Sequence, residues 1–527
     1  MTSRRLGRAL CTSALIFGSV FAFESADLSA ADHLIARTRA SHGESDDEEH
    51  ILPVLNESFD ETIERGQNAD ENVTPPSVEE TPEAAQDDDD PFRLLSYGPE
   101  FVPPGAVAAP PPPPYSDMPP GKWSTPLSAA FGNGTGFQFQ SKESDFSLQF
   151  HNLTQVDGRF YGTNNQFPVH DTFEMPREWL IWSGKLTKQI EYFGSFAFGF
   201  DNVNLLDAFV NFHYRDEFQV KVGRYKTPFT YEFYAEPIQG LINPERSLFF
   251  NNFGMNRDIG VMIHGTVYDK KVDYAVGTFN GSRNGYVDQN DAKEIMSYGN
   301  YRPFQDWDCA MLQNLNIGGS MVVGDANQAP PIPAVLRTSV ATIGNGVNGI
   351  PFLAFNNGVR EEGMHSLWTG HVALYHEQLS FISELQGGHQ KYSQAGNNQD
   401  INIWSYYAQA GYFLTGEVVT ARNVVKPLND FNPVWGCWGW GAWEATYRFN
   451  SLKLGDNVFS SGIANAALWT NSLYTNDVGM TWYPTQHLKL FLCWENAQFS
   501  TPVVYNTNTG AQQTASNTYW SRLQLYY

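Results

Sequence analysis

The sequence predicts an all-β protein: a transmembrane antiparallel β-barrel of about 16 strands, preceded by a disordered, acidic and proline-rich N-terminal segment. Three observations lead to this fold class. Apolar and polar residues alternate over many short stretches of residues 137–527. Aromatic residues make up 14% of the chain. The last alternating stretch ends at Tyr527, which suits closure of a barrel against its first strand.

Residues 1–31 have the layout of a secretory signal peptide. Three arginines within the first eight residues precede an apolar run that ends at Phe23, and small residues follow. Cleavage after Ala22, Ala26 or Ala31 fits the pattern equally. Elsewhere no run reaches about 18 apolar residues, so the sequence predicts an exported protein without a transmembrane helix.

Residues 32–136 are expected to form a disordered arm. Residues 1–136 contain 8 basic and 23 acidic side chains, out of a net charge of −24 for the whole chain. Single-sign charge runs and many prolines cannot bury enough surface to offset backbone entropy. Residues 103–120 read as an extended polyproline-like spacer. The arm is a solvated linker, a periplasmic tether to an envelope component, or a contact for metal ions or a protein.

Alternation with a period of two begins after residue 136. It is clear in "FSLQFHN" (146–152), "FQVKVG" (218–223) and "HLKLFLCWE" (487–495). A β-sandwich would alternate in the same way, so alternation alone does not decide the architecture. Aromatic residues near the ends of the apolar faces favour a membrane barrel, whose interfaces carry aromatic girdles.

The terminal strand shows how the two faces are expected to divide. Leu523 and Leu525 fall on one side and are predicted to face lipid, whereas Arg522 and Gln524 fall on the other and face the lumen. Two longer irregular stretches, residues 281–300 and 324–363, are expected to be extracellular loops. A barrel of this size leaves a water-filled channel, and a narrow lumen plugged by side chains would contradict the interpretation as a channel.

The sequence predicts no metal site, cofactor or enzyme active site. The three cysteines after the signal peptide (Cys309, Cys437 and Cys493) are scattered and odd in number, so no disulfide framework is expected. Of the histidines His365, His371 and His376, the last two fall on opposite strand faces and diverge. The short motifs of serine hydrolases, zinc proteases and phosphate-binding loops do not occur. A barrel hydrolase remains a third hypothesis, with an inward Ser–His pair as its signature.

Several stretches resemble one family when taken in order. They are "FQVKVGRYKTPFTYE" (218–232), "NRDIGVMIHGTVYDKKVDYAVGTFNG" (256–281), "GYFLTGE" (411–417), "GAWEATYRF" (441–449), "MTWYPTQHLKLFLCWENAQF" (480–499) and the terminal "RLQLYY". Over residues 140–527 the chain resembles the phosphate-selective porin O and P family. The resemblance implies a sixteen-stranded outer-membrane channel, usually a homotrimer, that passes phosphate or polyphosphate by means of lumenal Arg and Lys. The acidic arm, in place of a coiled coil, and the lack of a dense arginine ladder depart from that family.

Lumenal cations are the candidate anion-binding groups, because charge in a lumen biases ion entry. The candidates are Lys221, Arg224, Lys226, Arg177, Lys185, Arg448 and Arg522. Inward carboxylates oppose them in nearly equal number: Asp207, Asp258, Asp273, Glu384, Glu444 and Glu495. Each cation therefore has two readings, one as an ion pair across the wall and one as a contact for permeating anions.

The sequence thus favours an outer-membrane porin for passive diffusion of small hydrophilic solutes, with phosphate or other anions as the favoured class. Its expected partners are outer-membrane lipids, small solutes or inorganic anions and two further copies of the chain, with no nucleic acid. Its expected place is the bacterial outer membrane, with the arm in the periplasm. The alternative is a structural outer-membrane anchor that tethers an envelope component through the arm.

Overall fold

The computed structural model describes residues 127–131, 136–141, 145–199, 202–283, 285–288, 290–339, 349–434 and 438–527. The predicted signal peptide lies outside the described residues. So does the predicted arm, apart from residues 127–131 and 136. Among the residues that the structure describes, no helix is both long and apolar enough to cross a membrane.

Sixteen antiparallel strands close into one barrel. The first eight are β3 (Ser147–Tyr161), β4 (Thr172–Lys185), β5 (Ile190–Gly199), β6 (Asn202–Arg215), β7 (Phe218–Lys226), β8 (Arg257–Val267), β9 (Val272–Phe279) and β10 (Glu294–Tyr301). The other eight are β11 (Asn314–Ala329), β14 (Arg360–His376), β15 (Leu379–Gln394), β16 (Asn397–Phe413), β17 (Ala442–Leu454), β18 (Ser472–Thr485), β19 (Leu488–Asn506) and β20 (Ala511–Tyr526). The all-β barrel that the alternation predicts is confirmed.

The barrel closes between its last and first strands. β20 pairs with β3 from Tyr526 opposite Leu153 to Thr518 opposite Tyr161. The strands β1 (Leu127–Phe131) and β2 (Phe137–Ser141) form a hairpin, and β2 pairs with the part of β3 that β20 does not reach. β1 lies N-terminal to the boundary predicted between residues 136 and 137.

Side chains alternate across the wall as expected. In β20, Leu523 and Leu525 are 43% and 39% exposed on the outer face, whereas Arg522 and Gln524 are buried inside. Because successive strand residues point to opposite faces, this pattern leaves an apolar exterior and a mixed interior.

The connections differ at the two ends of the barrel. At the end that holds the start of β3 and the last residue of β20, most connections are short; in bacterial barrels such turns face the periplasm. We call this the turn end and the opposite end the loop end. Four long connections matter below: L3 (227–256), L5 (330–359) and L7 (455–471) at the loop end, and T6 (414–441) at the turn end.

The two predicted loops are partly strand. β10 occupies the second half of residues 281–300, and β11 and β14 enter residues 324–363 from both sides. Glycine and small polar residues weaken the alternation in these strands, which is why the sequence pattern ends them too early. Within L5, β12 (Val335–Arg337) and β13 (Pro351–Ala354) form a small hairpin.

Helices occur only as short turns among the described residues. L3 contains α1 (Tyr231–Tyr234), a 3₁₀ turn (Ile238–Gly240) and α2 (Leu248–Phe253), and L7 contains α3 (Asn457–Ser460). The side chain of Ser247 caps α2 by accepting a hydrogen bond from the Phe250 amide at 3.3 Å.

The loop-end half of the lumen is apolar and packed. Phe352 and Leu353 of the L5 hairpin are fully buried, in one cluster with inward-facing residues such as Ile403 and Leu454. The amide of Thr470 in L7 donates to the Phe352 carbonyl at 2.9 Å. L5 therefore covers the loop end from inside. The part of the barrel wall that it packs against is apolar, which the sequence pattern did not predict.

One cysteine expectation is wrong. Cys309, in the turn between β10 and β11, is disulfide-bonded. Cys493 is a free thiol. Sequence spacing could not show this bond, because a disulfide depends on through-space distance rather than separation along the chain.

Candidate functional site

L3 folds into the barrel and forms the centre of the site. Residues 241–250 are all buried, and Ala235 is its single exposed residue. The segment mixes Phe, Leu and Tyr with Glu and Arg and lacks a period of two, which is consistent with a loop packed on all sides.

Cations of the wall hold the L3 backbone in place by donating hydrogen bonds to its carbonyl oxygens. The pairs are Lys226 to Phe233 at 2.9 Å, Lys489 to Leu241 at 2.6 Å, Arg448 to Glu245 at 2.6 Å and Arg422 of T6 to Gly240 at 2.8 Å. Because charged donors make stronger hydrogen bonds than neutral ones, these contacts fix L3 in the lumen.

An ion cluster joins L3 to the barrel seam. Arg177 contacts both carboxylate oxygens of Glu245 at 2.6 and 2.7 Å, and Arg522 lies 2.8 Å from the same carboxylate. Arg522 also donates to Asp157 at 2.6 Å. Burial alone would raise the pKa of Glu245, but Arg177 and Arg522 hold it below its ordinary value.

Two further L3 carboxyl groups lie deep in the lumen. Ser247 donates to the Glu232 carboxylate through its amide at 2.9 Å and through its hydroxyl. The Glu236 carboxyl is 2% exposed, and among the described residues neither of its oxygens has a hydrogen-bond partner. Burial raises the pKa of Glu236 to about 8.

L3 also contacts the wall opposite its own strands. The Thr230 amide donates to Ser320 at 3.0 Å, the Glu232 amide to Glu384 at 2.9 Å and the Asn243 side chain to Gln409 at 3.2 Å. These contacts place L3 across the lumen, from β7 and β8 to β11, β15 and β16.

A cavity of about 470 Å³ remains between L3 and the wall formed by β3 to β8. Among the described residues, the cations Lys221, Lys226, Arg246 and Arg257 line it, with Asp207 as the one lining carboxylate. We call this space the cationic cavity. Arg257 pairs with Asp207 at 3.0 Å, so three cations remain without a lining carboxylate.

Lys221 is the most available of these cations. Its ammonium lies 4.6 Å from the centre of the Phe209 ring and 5.5 Å from that of Tyr225. Within the described part of the chain it makes no hydrogen bond and no ion pair at its Nζ atom. An ammonium held over two aromatic faces is free to bind an anion that enters the cavity.

The other candidate cations are placed differently. Arg224 donates to the carbonyls of Leu205 and Gly285, at 3.1 and 2.6 Å, near the loop end. Lys185 is 44% exposed and lies 3.6 Å from Glu191. Arg448 pairs with Asp477 at 2.7 Å, and Arg177 and Arg522 pair with Glu245. The structure therefore brings Lys221 and Lys226 together in one cavity and leaves the other five outside it.

The inward carboxylates mostly bind groups in the wall or in the connections next to it. Asp207 pairs with Arg257, Asp273 with Arg302 and Glu444 with Arg422. Asp258 accepts hydrogen bonds from Ser282 and Gly281. The near balance of charge in the sequence thus corresponds to local ion pairs.

Sequence reasoning missed Arg246 and Arg257 of the cavity and Arg422 of T6. Alternation cannot place Arg246 and Arg422, because both lie in connections. Alternation places Arg257, the first residue of β8, on the face opposite Asp258, whereas the structure buries both residues. A signal did exist: Glu and Arg within the Phe-rich stretch 231–250 mark a loop with buried charges.

Histidines make no joint site in the described ranges, where no group of three or more His, Cys, Asp and Glu side chains is arranged to hold a metal ion. His371 is buried and bonds Asn300 at 3.1 Å, and His365 lies 3.0 Å from Glu294. These are separate pairs within the wall.

Comparison with known proteins adds the family. A model of the family described as phosphate-selective porin O and P matches residues 146–498. Porin O of Pseudomonas aeruginosa is 28% identical over 116 residues, which cover 21% of this chain. The matched part spans 24% of that protein's length.

Solved structures with a general likeness include three bacterial membrane proteins. An anion-selective porin from Comamonas acidovorans is 10% identical, with a TM-score of 0.43 over 73% of this chain and 100% of its own. The outer membrane channel DcaP of Acinetobacter baumannii is 9% identical, with a TM-score of 0.44 over 74% of this chain and 99% of its own. OmpT of Vibrio cholerae, in a trimer form, is 8% identical, with a TM-score of 0.42 over 73% of this chain and 100% of its own.

The family match covers most of the barrel, from the residue before β3 to the middle of β19. It agrees with the strand pairing, which closes sixteen antiparallel strands into one barrel. The chain is an outer-membrane β-barrel protein that belongs to the phosphate-selective porin O and P family.

Proposed function

We propose that the protein is a narrow diffusion channel for small hydrophilic solutes that favours phosphate or other inorganic anions. The observation that carries this proposal is the cationic cavity, in which, among the residues that the structure describes, three cations lack a lining carboxylate and Lys221 has no polar partner. Such charges attract anions and repel cations, and the low-dielectric walls around them strengthen this effect.

The position of L3 limits the width of the path. L3 crosses the lumen, and L5 covers the loop end, so a wide water-filled pore does not fit this arrangement. Solutes would pass beside L3 through cavities of a few hundred Å³, or would pass when L3 is displaced. We therefore expect a small unit conductance for a sixteen-stranded barrel.

No chemical step is part of the proposal. Among the described residues, no serine hydroxyl bonds a histidine ring, which is the arrangement that a hydrolase in the barrel would need. Most interior charges instead form ion pairs or hold the L3 backbone, which are structural roles.

The test is reversal potential and phosphate block in planar bilayers. We expect anion selectivity under a salt gradient and a current that phosphate blocks in the millimolar range. Lys221→Gln should weaken the block about threefold to tenfold, because it removes one charged contact. Lys185→Gln, at the exposed turn end, is the matched control and should leave the block unchanged.

Two outcomes would contradict the anion preference. One is an open channel that is non-selective or cation-selective, which would leave a general porin. The other is phosphate block that Lys221→Gln and Lys185→Gln alter equally, since screening of surface charge would then explain it.

A structural anchor is the second candidate. The filled lumen favours it, because a barrel that only anchors needs no path for solutes. In this reading the acidic arm binds an envelope component. A complete lack of conductance by protein that has folded, together with loss of envelope integrity on deletion of residues 32–122, would establish the anchor.

The assembly and orientation are part of the same proposal. We expect a homotrimer in the bacterial outer membrane, with lipids around the apolar outer face and the N-terminal arm in the periplasm. Chemical crosslinking in native membranes tests the trimer, and protease accessibility of the arm in intact cells tests its side.

A further inference from the structure

A second cavity, of about 320 Å³, lies on the other side of Tyr234 from the cationic cavity. Its walls come from β9, β10, β11 and β14, and L3 and T6 complete it. Its lining residues Asp273 and Arg302 stand near the turn end. Because Tyr234 lines both cavities, the two spaces are neighbours within one lumen.

The lining of the second cavity, within the described part of the chain, carries no net charge. Asp273 and Arg302 are its charged lining residues, and they pair with each other through contacts of 2.6 and 2.9 Å. The cationic cavity lacks such compensation. A charged solute therefore gains little here, and the lining suits an uncharged one.

Amide groups fix the polar side of this cavity. Asn300 donates to Asp273 at 3.2 Å and to Asn316 at 2.9 Å, while His371 bonds the Asn300 oxygen at 3.1 Å. These bonds set the orientation of each amide before a solute arrives. Preorganised amides exchange hydrogen bonds with hydroxyl groups at a low entropic cost.

Tyrosines line the cavity beside these amides. The hydroxyls of Tyr231 and Tyr375 bond each other at 3.0 Å. The rings of Tyr234 and Tyr298 lie 4.9 Å apart, and His371 stacks on Tyr298. The Tyr298 hydroxyl has no hydrogen-bond partner within the described ranges, although the residue is 5% exposed and lines the cavity.

We propose that this cavity binds a small uncharged polyhydroxy compound of about monosaccharide size. Ring faces pack against the C–H face of such a compound, while the amides and the Tyr298 hydroxyl exchange hydrogen bonds with its hydroxyls. A hydrocarbon would leave the Tyr298 hydroxyl without a partner. The inference rests on the proposed function, because it makes the cavity a solute site on the path beside L3.

Calorimetry with D-glucose on the purified full chain in detergent tests the site. We expect saturable binding in the millimolar range. Tyr298→Phe, which removes only the free hydroxyl, should weaken it about twofold to tenfold, and Tyr298→Ala should abolish it. Lys221→Gln in the cationic cavity is the control and should bind glucose as the wild type does. Retained heat-modifiable migration on gels shows that each variant has folded.

No saturable heat with glucose would overturn the inference, and so would binding that Tyr298→Ala leaves unchanged. Bilayer recordings on the same preparation separate it from the channel proposal. Glucose binding without conductance would leave this site standing and remove the channel, whereas conductance without glucose binding would do the reverse.

Discussion

Single charged residues inside this barrel differ in how completely they are compensated. Most arginines meet a carboxylate directly, as Arg257 meets Asp207 and Arg422 meets Glu444. Glu236 differs, because its buried carboxyl lacks a hydrogen-bond partner among the described residues. Arg422 of T6, Glu232 and Arg246 of L3 and Glu384 of β15 act on it through space.

The pH dependence of L3 follows from Glu236. The pKa of Glu236 is about 8 when L3 is docked in the lumen, against 4.5 for the free group. Between these two values the carboxyl of the docked loop stays protonated, whereas that of an undocked loop is ionised. Docking is therefore unaffected below pH 4.5 and weakens as pH rises from there to about 8. Hydrogen-exchange protection of residues 241–250, corrected for intrinsic rates, should fall about tenfold per pH unit in the upper part of this window.

Glu236→Gln supplies the control for this prediction. The amide stays neutral at every pH, so the variant should keep its protection up to about pH 9. An equal pH slope in both proteins would assign the effect to Glu232 or Glu384 instead.

Which residues face inward was largely predictable, and their partners were not. A period of two places Arg522 inside and Leu523 outside, whatever the rest of the chain does. The partner of Arg522 is Asp157, which is 365 positions away and meets it only because the barrel closes. Sequence patterns do not show contacts between residues that are so far apart in the chain. The predicted anion-binding residues therefore included several that form ion pairs in the structure.

Among the elements, the strands were predictable from alternation and the inward-folded connections were not. L3, L5 and T6 have no period, so their burial depends on what the finished barrel encloses. The L5 hairpin illustrates this. Phe352 and Leu353 read as loop residues, yet they fill the loop end against Ile403 and Leu454.

Phe352→Ala should loosen L5 without unfolding the barrel. Removing a fully buried phenylalanine costs about 3–5 kcal/mol, and here the loss is local, because the strand ladders do not depend on it. Hydrogen exchange of residues 349–354 should rise, while the urea midpoint of the barrel stays within error.

Phe173→Ala, at a side chain that is 77% exposed on β4, is the matched control and should change neither quantity. A fall in the barrel midpoint for Phe352→Ala would show that L5 belongs to the same cooperative unit as the strands.

At the scale of the whole molecule, the class, the closure and the approximate strand number were predictable, because each repeats one local rule. The filled lumen was not, since it arises from three connections that meet in space. At the seam between β3 and β20, the stability of the closed barrel depends on single residues. Arg522 there joins Asp157 of β3 to Glu245 of L3.

Arg522→Gln should lower the free energy of unfolding by about 3–5 kcal/mol, because it leaves two buried carboxylates without their shared cation. Urea unfolding in lipid vesicles, followed by tryptophan fluorescence, measures this change. Arg215→Gln, at an exposed position at the end of β6, should cost no more than about 0.5 kcal/mol. Equal midpoints for the two variants would assign the stability of the seam to its backbone ladder.

The seam also has a consequence for the order of folding. Neighbouring strands elsewhere lie close together in the sequence and can pair locally, but β3 pairs with the distant β20 only when the barrel closes. Until then its edge is open to pairing with other chains. The β1–β2 hairpin occupies part of that edge from the start, through Phe137 opposite Phe150. It therefore shortens the exposed edge of the nascent barrel during the interval in which aggregation competes with closure.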